Sequence, residues 1–142
     1  MTEPKHVFTY GSLMFSTVWE GVVQCNYRSA PATVRGFKRL RVRDEQYPAL
    51  VIDKNAAALT GKVYFDVSPI DIARLDHFET SDYARVAIAT LTEGKITVAQ
   101  AYLALFPEEL EGLDWSSTKF EQHGIKSFLA TYATANAPPP NP

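Results

Sequence analysis

The sequence predicts an α+β fold, a mixed or barrel-like β-sheet with flanking helices in a single domain. The 142 residues suffice for one core that buries roughly two thirds of the unfolded surface. Strand-like segments are interrupted by one central helical segment and closed by another, an order typical of α+β domains. We expect one domain over residues 1–136. Residues 137–142 should form a disordered tail, because their prolines fit neither a ladder nor a helix.

The composition excludes several classes of function. Hydrophobic residues make up 46% of the chain and charged residues 21%, and the formal net charge is -2. This charge gives no positive electrostatic field that would attract polyanions. Cys25 is the only cysteine, so no internal disulfide can form. The chain starts without a basic and apolar leader, and no apolar run is long enough to span a membrane. We therefore expect a cytoplasmic protein with no membrane or nucleic-acid partner, and the sequence does not indicate its oligomeric state.

The first strand-like run, residues 7–10, stops at a turn formed by Gly11-Ser12-Leu13. Glycine lets a ligand approach the backbone closely, and neighbouring N–H groups in such a turn can converge on an oxygen. A purely structural turn is the alternative. Ser12 is not expected to be a nucleophile, because the G-x-S-x-G elbow is absent. The serine and threonine that begin residues 16–20 are typical of a helix start, so this segment is expected to form the cap and first turn of a short helix.

Residues 32–42 predict one or two strands around Gly36, with a row of arginines on one side. Such a row is typical of a solvated strand face, but it would also suit a substrate carboxylate. Nucleic-acid contact is a third possibility. The basic residues concerned are Arg35, Lys38, Arg39, Arg41 and Arg43. Residues 47–52 then predict a turn into a buried strand, and residues 59–67 predict another strand.

The central helix carries an acid where apolar side chains belong. Ser68 is a cap residue, and the proline and acid that follow it are typical of a helix start. Ile72, Leu75 and Glu79 then share one face. We expect the helix to end near residues 80–82 and a strand to follow over residues 83–88, so that Glu79 lies at a helix-to-strand junction.

The remaining segments predict a hairpin and a second helix. Strands over residues 83–91 and 96–106 flank a turn at residues 93–95. Residues 115–118 then cap a helix that carries Phe120, Phe128 and Tyr132 and is expected to pack on the sheet.

Three motifs together resemble the γ-glutamylcyclotransferase-like superfamily, in particular its AIG2-like branch. They are Tyr10-Gly11-Ser12-Leu13, Tyr47-Pro48-Ala49, and Leu75-Asp76-His77-Phe78-Glu79 followed by Tyr83-Ala84-Arg85. The resemblance implies a compact barrel-like sheet, a ligand cavity at the first motif, and Glu79 as the acid/base residue, with Tyr83 in support. It also implies a small-molecule γ-glutamyl substrate, which members convert to 5-oxoproline and a free amine without metal or cofactor.

This intramolecular acyl transfer suits a single carboxylate. The attacking α-amine must lose a proton and the departing amine must gain one, so one glutamate can serve both steps. Burial beside Leu75 and Phe78 would raise the pKa of Glu79 toward neutrality. Alternatively, Glu79 is solvated or paired with Arg85, and the chain is a non-catalytic small-molecule-binding or interaction domain on the same scaffold. The three histidines have no metal-ligand spacing, so no metal site is expected.

Overall fold

Seven strands form one mixed sheet in the part of the chain that the structure describes. The structure is a computed structural model, and it describes residues 3–41, 48–79 and 83–104. The strands are β1 Lys5–Thr9, β2 Ser29–Val34, β3 Phe37–Arg41, β4 Pro48–Ile52, β5 Leu59–Val67, β6 Tyr83–Thr92 and β7 Lys95–Ala104. A 3-10 turn spans Ser12–Met14, and the helices are α1 Ser16–Val22 and α2 Pro69–Glu79.

The sheet closes into a five-stranded barrel. Its order runs β1-β5-β2-β6-β7, and β1 pairs back onto β7 in parallel, where Val7 lies opposite Gln100. Strand β4 also pairs with β7 in parallel at Leu50 and Leu103, and β3 continues this extension as its outer strand. The predicted barrel-like mixed sheet is therefore confirmed.

Two buried clusters occupy opposite faces of the same strands. Side chains alternate across a strand, so Val63 and Tyr64 of β5 belong to different clusters. One cluster contains residues of the strands together with Tyr10, which follows β1, and fills the barrel. The other joins the outside of the barrel to both helices, with Trp19 of α1 and Leu75 of α2 among its members. The ring of Trp19 stacks on that of Tyr64 at a centroid distance of 3.6 Å.

The predicted hairpin is confirmed as β6 and β7. Thr92 pairs with Lys95, which leaves a two-residue turn. Its residues, Glu93 and Gly94, have φ angles of 51° and 76°, the positive pair that a type I′ turn requires. This turn matches the twist of the two strands and fixes their register.

Two local predictions are wrong. Helix α1 has Phe15 as its N-cap, without a side-chain cap bond, because the preceding 3-10 turn runs directly into the helix. Ser16 is therefore the first helical residue and not the cap. Strand β4 is buried at Ala49 and Leu50, but Ile52 is 71% exposed, because this strand belongs to the extension outside the closed barrel.

Several predictions lie outside the described residues. They are the C-terminal helix with Phe120, Phe128 and Tyr132, the tail over residues 137–142, the domain limit at residue 136, and the placement of Arg43, Tyr47 and residues 80–82. Within the described residues, no helix has the length and apolar character needed to cross a bilayer.

Candidate active site

Helix α2 begins as the sequence predicts. The backbone N–H of Asp71 donates to the Ser68 hydroxyl oxygen at 3.2 Å, and the N–H of Ile72 donates to the Ser68 carbonyl at 2.9 Å. Ser68 therefore caps the helix, with Pro69 at the first helical position. Ile72 and Leu75 of this helix are buried in the core.

The Asp71 carboxylate anchors a distant loop, a role that the sequence analysis missed. Asp71 is fully buried and accepts four hydrogen bonds, which come from the Gln24 N–H (3.1 Å), the Cys25 N–H (3.2 Å), the Tyr27 hydroxyl (2.6 Å) and the Arg74 guanidinium (2.8 Å). Burial raises its pKa, but the bonds from Tyr27, the Gln24 amide and Arg74 outweigh burial and hold the pKa below its usual range. Except for Arg74, these partners lie more than forty residues from Asp71 in the sequence, so no local pattern predicts them.

Glu79 is the last residue of α2 and lies partly buried on the same side as the core residues before it. Leu75 is fully buried and Phe78 nearly so. Burial, followed by the negative charge of Asp76, raises the pKa of Glu79 to about 8. The carboxyl group is consequently poised to take up and release a proton near neutral pH.

Tyr10 connects the first turn to helix α2. Its buried hydroxyl donates to the Tyr102 carbonyl at 2.7 Å, and the Tyr102 hydroxyl donates to Asp76 Oδ1 at 2.6 Å. Burial and then the charge of Glu79 raise the pKa of Tyr10. The turn after β1 and the end of α2 therefore face each other across the side chains of Tyr10 and Tyr102.

The carbonyl groups of the turn accept hydrogen bonds from within the turn and from Tyr64 of β5. The N–H of Met14 donates to the Gly11 carbonyl at 3.0 Å and the N–H of Phe15 to the Ser12 carbonyl at 3.1 Å. The Tyr64 hydroxyl donates to the Leu13 carbonyl at 3.3 Å. In a 3-10 turn the first N–H groups, here those of Ser12 and Leu13, precede the first internal bond and have no acceptor within the turn.

Arg39 and Tyr83 complete the surroundings of Tyr10. Arg39 lies partly buried, and its guanidinium donates to the Tyr10 carbonyl at 3.1 Å, so this member of the arginine row does not lie on a fully solvated face. Tyr83 begins β6, and its hydroxyl adds to the electrostatic environment that raises the pKa of Tyr10. Glu79 and Tyr83 thus both lie near enough to Tyr10 to raise its pKa.

The arginine considered as a partner for Glu79 contacts a different acid. Arg85 donates from Nε to Asp76 Oδ1 at 2.9 Å and from its guanidinium NH1 to Gln100 Oε1 at 2.9 Å. Asp76 is thus bonded by Arg85 of β6 and Tyr102 of β7, a junction that the sequence analysis missed. Among the described residues, no group of three histidine, cysteine or acidic side chains is arranged to hold a metal ion.

The closed barrel and its two helices define the class of the protein, a barrel domain of the γ-glutamylcyclotransferase-like fold. Residues 7–121 match the family described as Gamma-glutamyl cyclotransferase, AIG2-like. The chain therefore belongs to this family, as the three motifs predicted.

Curated relatives from Arabidopsis thaliana share this family character. AIG2-like protein D is 33% identical over 85 residues, which cover 60% of this chain and 55% of the relative. AIG2-like protein A is 24% identical over 130 residues, which cover 89% of this chain and 78% of the relative. The matched residues cover 55% of AIG2-like protein D and 52% of Protein AIG2 C. The chain therefore spans only about half the length of these two relatives.

Solved structures show the same fold. A solution structure of an Arabidopsis thaliana protein has a TM-score of 0.70 at 21% identity, and the match covers 95% of this chain and 83% of the Arabidopsis thaliana chain. A crystal structure of a mouse AIG2-like protein has a TM-score of 0.65 at 19% identity, with coverages of 83% and 91%. A yeast γ-glutamyl cyclotransferase specific to glutathione has a TM-score of 0.62 at 14% identity, with 94% of both chains covered.

Proposed function

We propose that this protein is a γ-glutamylcyclotransferase that converts a γ-glutamyl amide or γ-glutamylamine into 5-oxoproline and a free amine. Glu79 is the general acid/base, the turn formed by Tyr10, Gly11, Ser12 and Leu13 binds the substrate, and Tyr83 supports the site. The proposal is supported by membership of the Gamma-glutamyl cyclotransferase, AIG2-like family. It uses no metal or cofactor.

The observation that carries the proposal is the partial burial of Glu79 at the end of α2, after the buried residues Leu75 and Phe78. A solvated glutamate is a weak base at neutral pH, whereas a carboxyl group with a pKa of about 8 matches the operating pH that acid/base catalysis favours. The carboxylate accepts the proton that the attacking α-amine releases. The resulting carboxylic acid then donates this proton to the departing amine, so the residue returns to its starting state.

The substrate carries its own nucleophile. The α-amine forms a new C–N bond to the γ-carbonyl carbon, and the original γ-amide C–N bond breaks. Because the nucleophile and the carbonyl are tethered, the protein must mainly hold the chain in the ring-forming geometry and stabilise the oxyanion. The N–H groups of Ser12 and Leu13, which have no acceptor within the turn, are the donors we assign to the substrate oxygens.

Tyr10 and Tyr83 have supporting roles in this scheme. The Tyr10 hydroxyl is engaged with the Tyr102 carbonyl, so Tyr10 shapes the wall of the site and is not a proton donor. The Tyr10 carbonyl is engaged by Arg39, which fixes the peptide that leads into the turn. Tyr83 lies four residues after Glu79 and is assigned to hydrogen bonding with the Glu79 carboxyl group or the substrate.

The proposal predicts that Glu79→Gln keeps the fold but lowers turnover by at least roughly a hundredfold, the usual contribution of a general acid/base. The measurement is release of 5-oxoproline from γ-glutamyl amino acids, γ-glutamylamines and glutathione, with circular dichroism as the check of folding. Glu93→Gln is the matched control, because Glu93 lies at the opposite end of β6 and bonds Arg28. It should retain wild-type turnover.

Two outcomes would contradict the proposal. Full activity in folded Glu79→Gln would remove the assigned role of Glu79. Binding of 5-oxoproline or γ-glutamyl compounds without release of amine from any of them would favour the non-catalytic binding domain.

A further inference from the structure

Asp76 lies where three elements of the fold meet beside the candidate site. It projects from α2, and its Oδ1 accepts hydrogen bonds from the Tyr102 hydroxyl of β7 at 2.6 Å and from Arg85 Nε of β6 at 2.9 Å. Tyr102 is buried and receives the Tyr10 hydroxyl on its carbonyl. Tyr102 thus links Asp76, through its side chain, to Tyr10 at the start of the turn, through its backbone carbonyl.

This arrangement is unusual for an acid that is 44% exposed. An exposed carboxylate bonded to a single long side chain contributes little and moves freely. Asp76 also accepts a hydrogen bond from Tyr102, whose ring is packed in the cluster between the barrel and the helices. The position of its charge is therefore set by the core and not by the flexibility of Arg85.

The fixed charge of Asp76 lies one helical turn before Glu79, three residues earlier in the chain, a spacing at which side chains of a helix are neighbours. A like charge at this spacing opposes ionisation of Glu79. Arg85 contacts Asp76 and partly cancels its charge. Arg85 therefore acts on Glu79 by weakening the effect of the Asp76 charge.

We propose that Asp76 is a positioning residue that shifts the pH range in which Glu79 exchanges its proton upward, and that Arg85 limits how strongly the Asp76 charge acts. The effect of these two charges on Glu79 is inferred from the hydrogen bonds that hold Asp76. The consequence of this effect for turnover rests on the proposed function of Glu79. Burial, together with Asp76, raises the pKa of Glu79 to about 8, in agreement with the direction of the proposal.

Other titratable groups also surround Glu79 within the described residues. Glu79 raises the pKa of Tyr10 in the turn and of Tyr102 in β7, and Tyr83 of β6 also raises the pKa of Tyr10. The three tyrosines are uncharged below about pH 10. Among the charged groups of the described residues, Asp76 acts on Glu79, Arg85 pairs with Asp76, and Arg39 of β3 bonds the Tyr10 carbonyl.

The test uses two substitutions with opposite expected effects. Asp76→Asn keeps a side-chain oxygen for Tyr102 and Arg85 but removes the negative charge, so the titration midpoint of Glu79 should fall by roughly one pH unit. Arg85→Gln leaves the Asp76 charge uncompensated, so the midpoint should rise by a similar amount. The double variant should return close to the wild type, because burial is unchanged.

The midpoint is read from the side-chain carboxyl carbon of Glu79 by NMR, with the signal assigned by its loss in Glu79→Gln. Asp66→Asn is the matched control, because Asp66 precedes the start of α2 while Glu79 ends it, and it should leave the midpoint unchanged. Salt at 1 M should shrink the shifts of Asp76→Asn and Arg85→Gln, since both charges are partly exposed.

The NMR titration does not depend on enzyme activity, so failure of this proposal and failure of the proposed function are distinguishable. Unchanged midpoints in both single variants, or shifts of the same sign, would overturn it. If a substrate is turned over, kcat/KM should rise with pH through the Glu79 midpoint, and this limb should move with the midpoint in Asp76→Asn. A limb that stays in place while the midpoint moves would remove the catalytic part of the proposal.

Discussion

Two acids of helix α2 illustrate how the surroundings of a carboxyl group change its proton affinity. Asp71 and Glu79 lie on the same helix, yet their pKa values move in opposite directions. Asp71 accepts hydrogen bonds from four donors, and these stabilise the ionised form more than burial destabilises it. Glu79 experiences burial and the charge of Asp76, both of which favour the neutral form. The difference comes from the partners of each carboxyl group and not from the residue type.

Asp71→Asn should lower the free energy of unfolding by about 3 kcal/mol, because it leaves the charge of buried Arg74 without its carboxylate and sets an amide group against N–H donors. The measurement is urea denaturation at pH 7. Asp66→Asn makes the same chemical change at an exposed position and should alter stability by less than about 0.5 kcal/mol. Equal stability of the two variants would show that the Asp71 cluster does not anchor the loop.

Closure of the barrel depends on how closely β1 and β5 approach each other. A Cβ at Gly61 of β5 would overlap the Thr9 carbonyl of β1 and lie 2.7 Å from the ring of Phe8. A real side chain therefore has no space at this crossing, and one obstacle is backbone, which cannot rotate away. The sequence shows Gly61 only as a glycine within a strand pattern, although such a position often marks close approach of another backbone.

Gly61→Ala should destabilise the protein by about 3 kcal/mol, the upper part of the usual range for overpacking, and chemical denaturation measures the loss. Gly94→Asn is the control at the hairpin turn, where a Cβ meets nothing within 4 Å. Asparagine tolerates the positive φ angle there, so the change should stay below about 1 kcal/mol. A Gly61→Ala variant as stable as this control would contradict the close approach.

At the scale of the whole molecule, the two acids shape the dependence of stability on pH. Asp71 has a lowered pKa in the folded state, so its contribution is present above its unfolded pKa and is lost as the pH falls through the folded value. Glu79 binds its proton more tightly in the folded state, with a pKa of about 8 against a reference of 4.5. Its contribution is therefore complete below pH 4.5 and declines as the pH rises through about 8.

The free energy of unfolding of the wild type should consequently fall between about pH 5 and pH 8, with a slope of up to about 1.4 kcal/mol per pH unit from Glu79. Glu79→Gln has no proton to lose and should lack this part of the slope. Urea denaturation of both proteins across this range provides the comparison. Parallel pH profiles would mean that the pKa of Glu79 is not raised on folding.

The sequence by itself determined the features that depend on neighbouring residues. The Ser68 cap, the turn at Glu93 and Gly94, and the shared face of Ile72 and Leu75 are all present in the structure, because caps, turns and periodicity are local properties of the backbone. The motifs also identified the family. The alternation of β-forming residues predicted most strands, although it did not indicate which strands close the barrel.

The tertiary structure decided what depends on distant segments. It brought Asp71 to the N–H groups of residues 24 and 25, Arg39 to the Tyr10 carbonyl, and Asp76 to Tyr102. These partners are 26 to 47 residues apart, and no local pattern marks them. Burial and hydrogen bonding set the pKa of a carboxyl group, and both are supplied by long-range packing. The sequence therefore singled out Glu79 as a candidate, whereas the assembled barrel and helix determined its proton affinity.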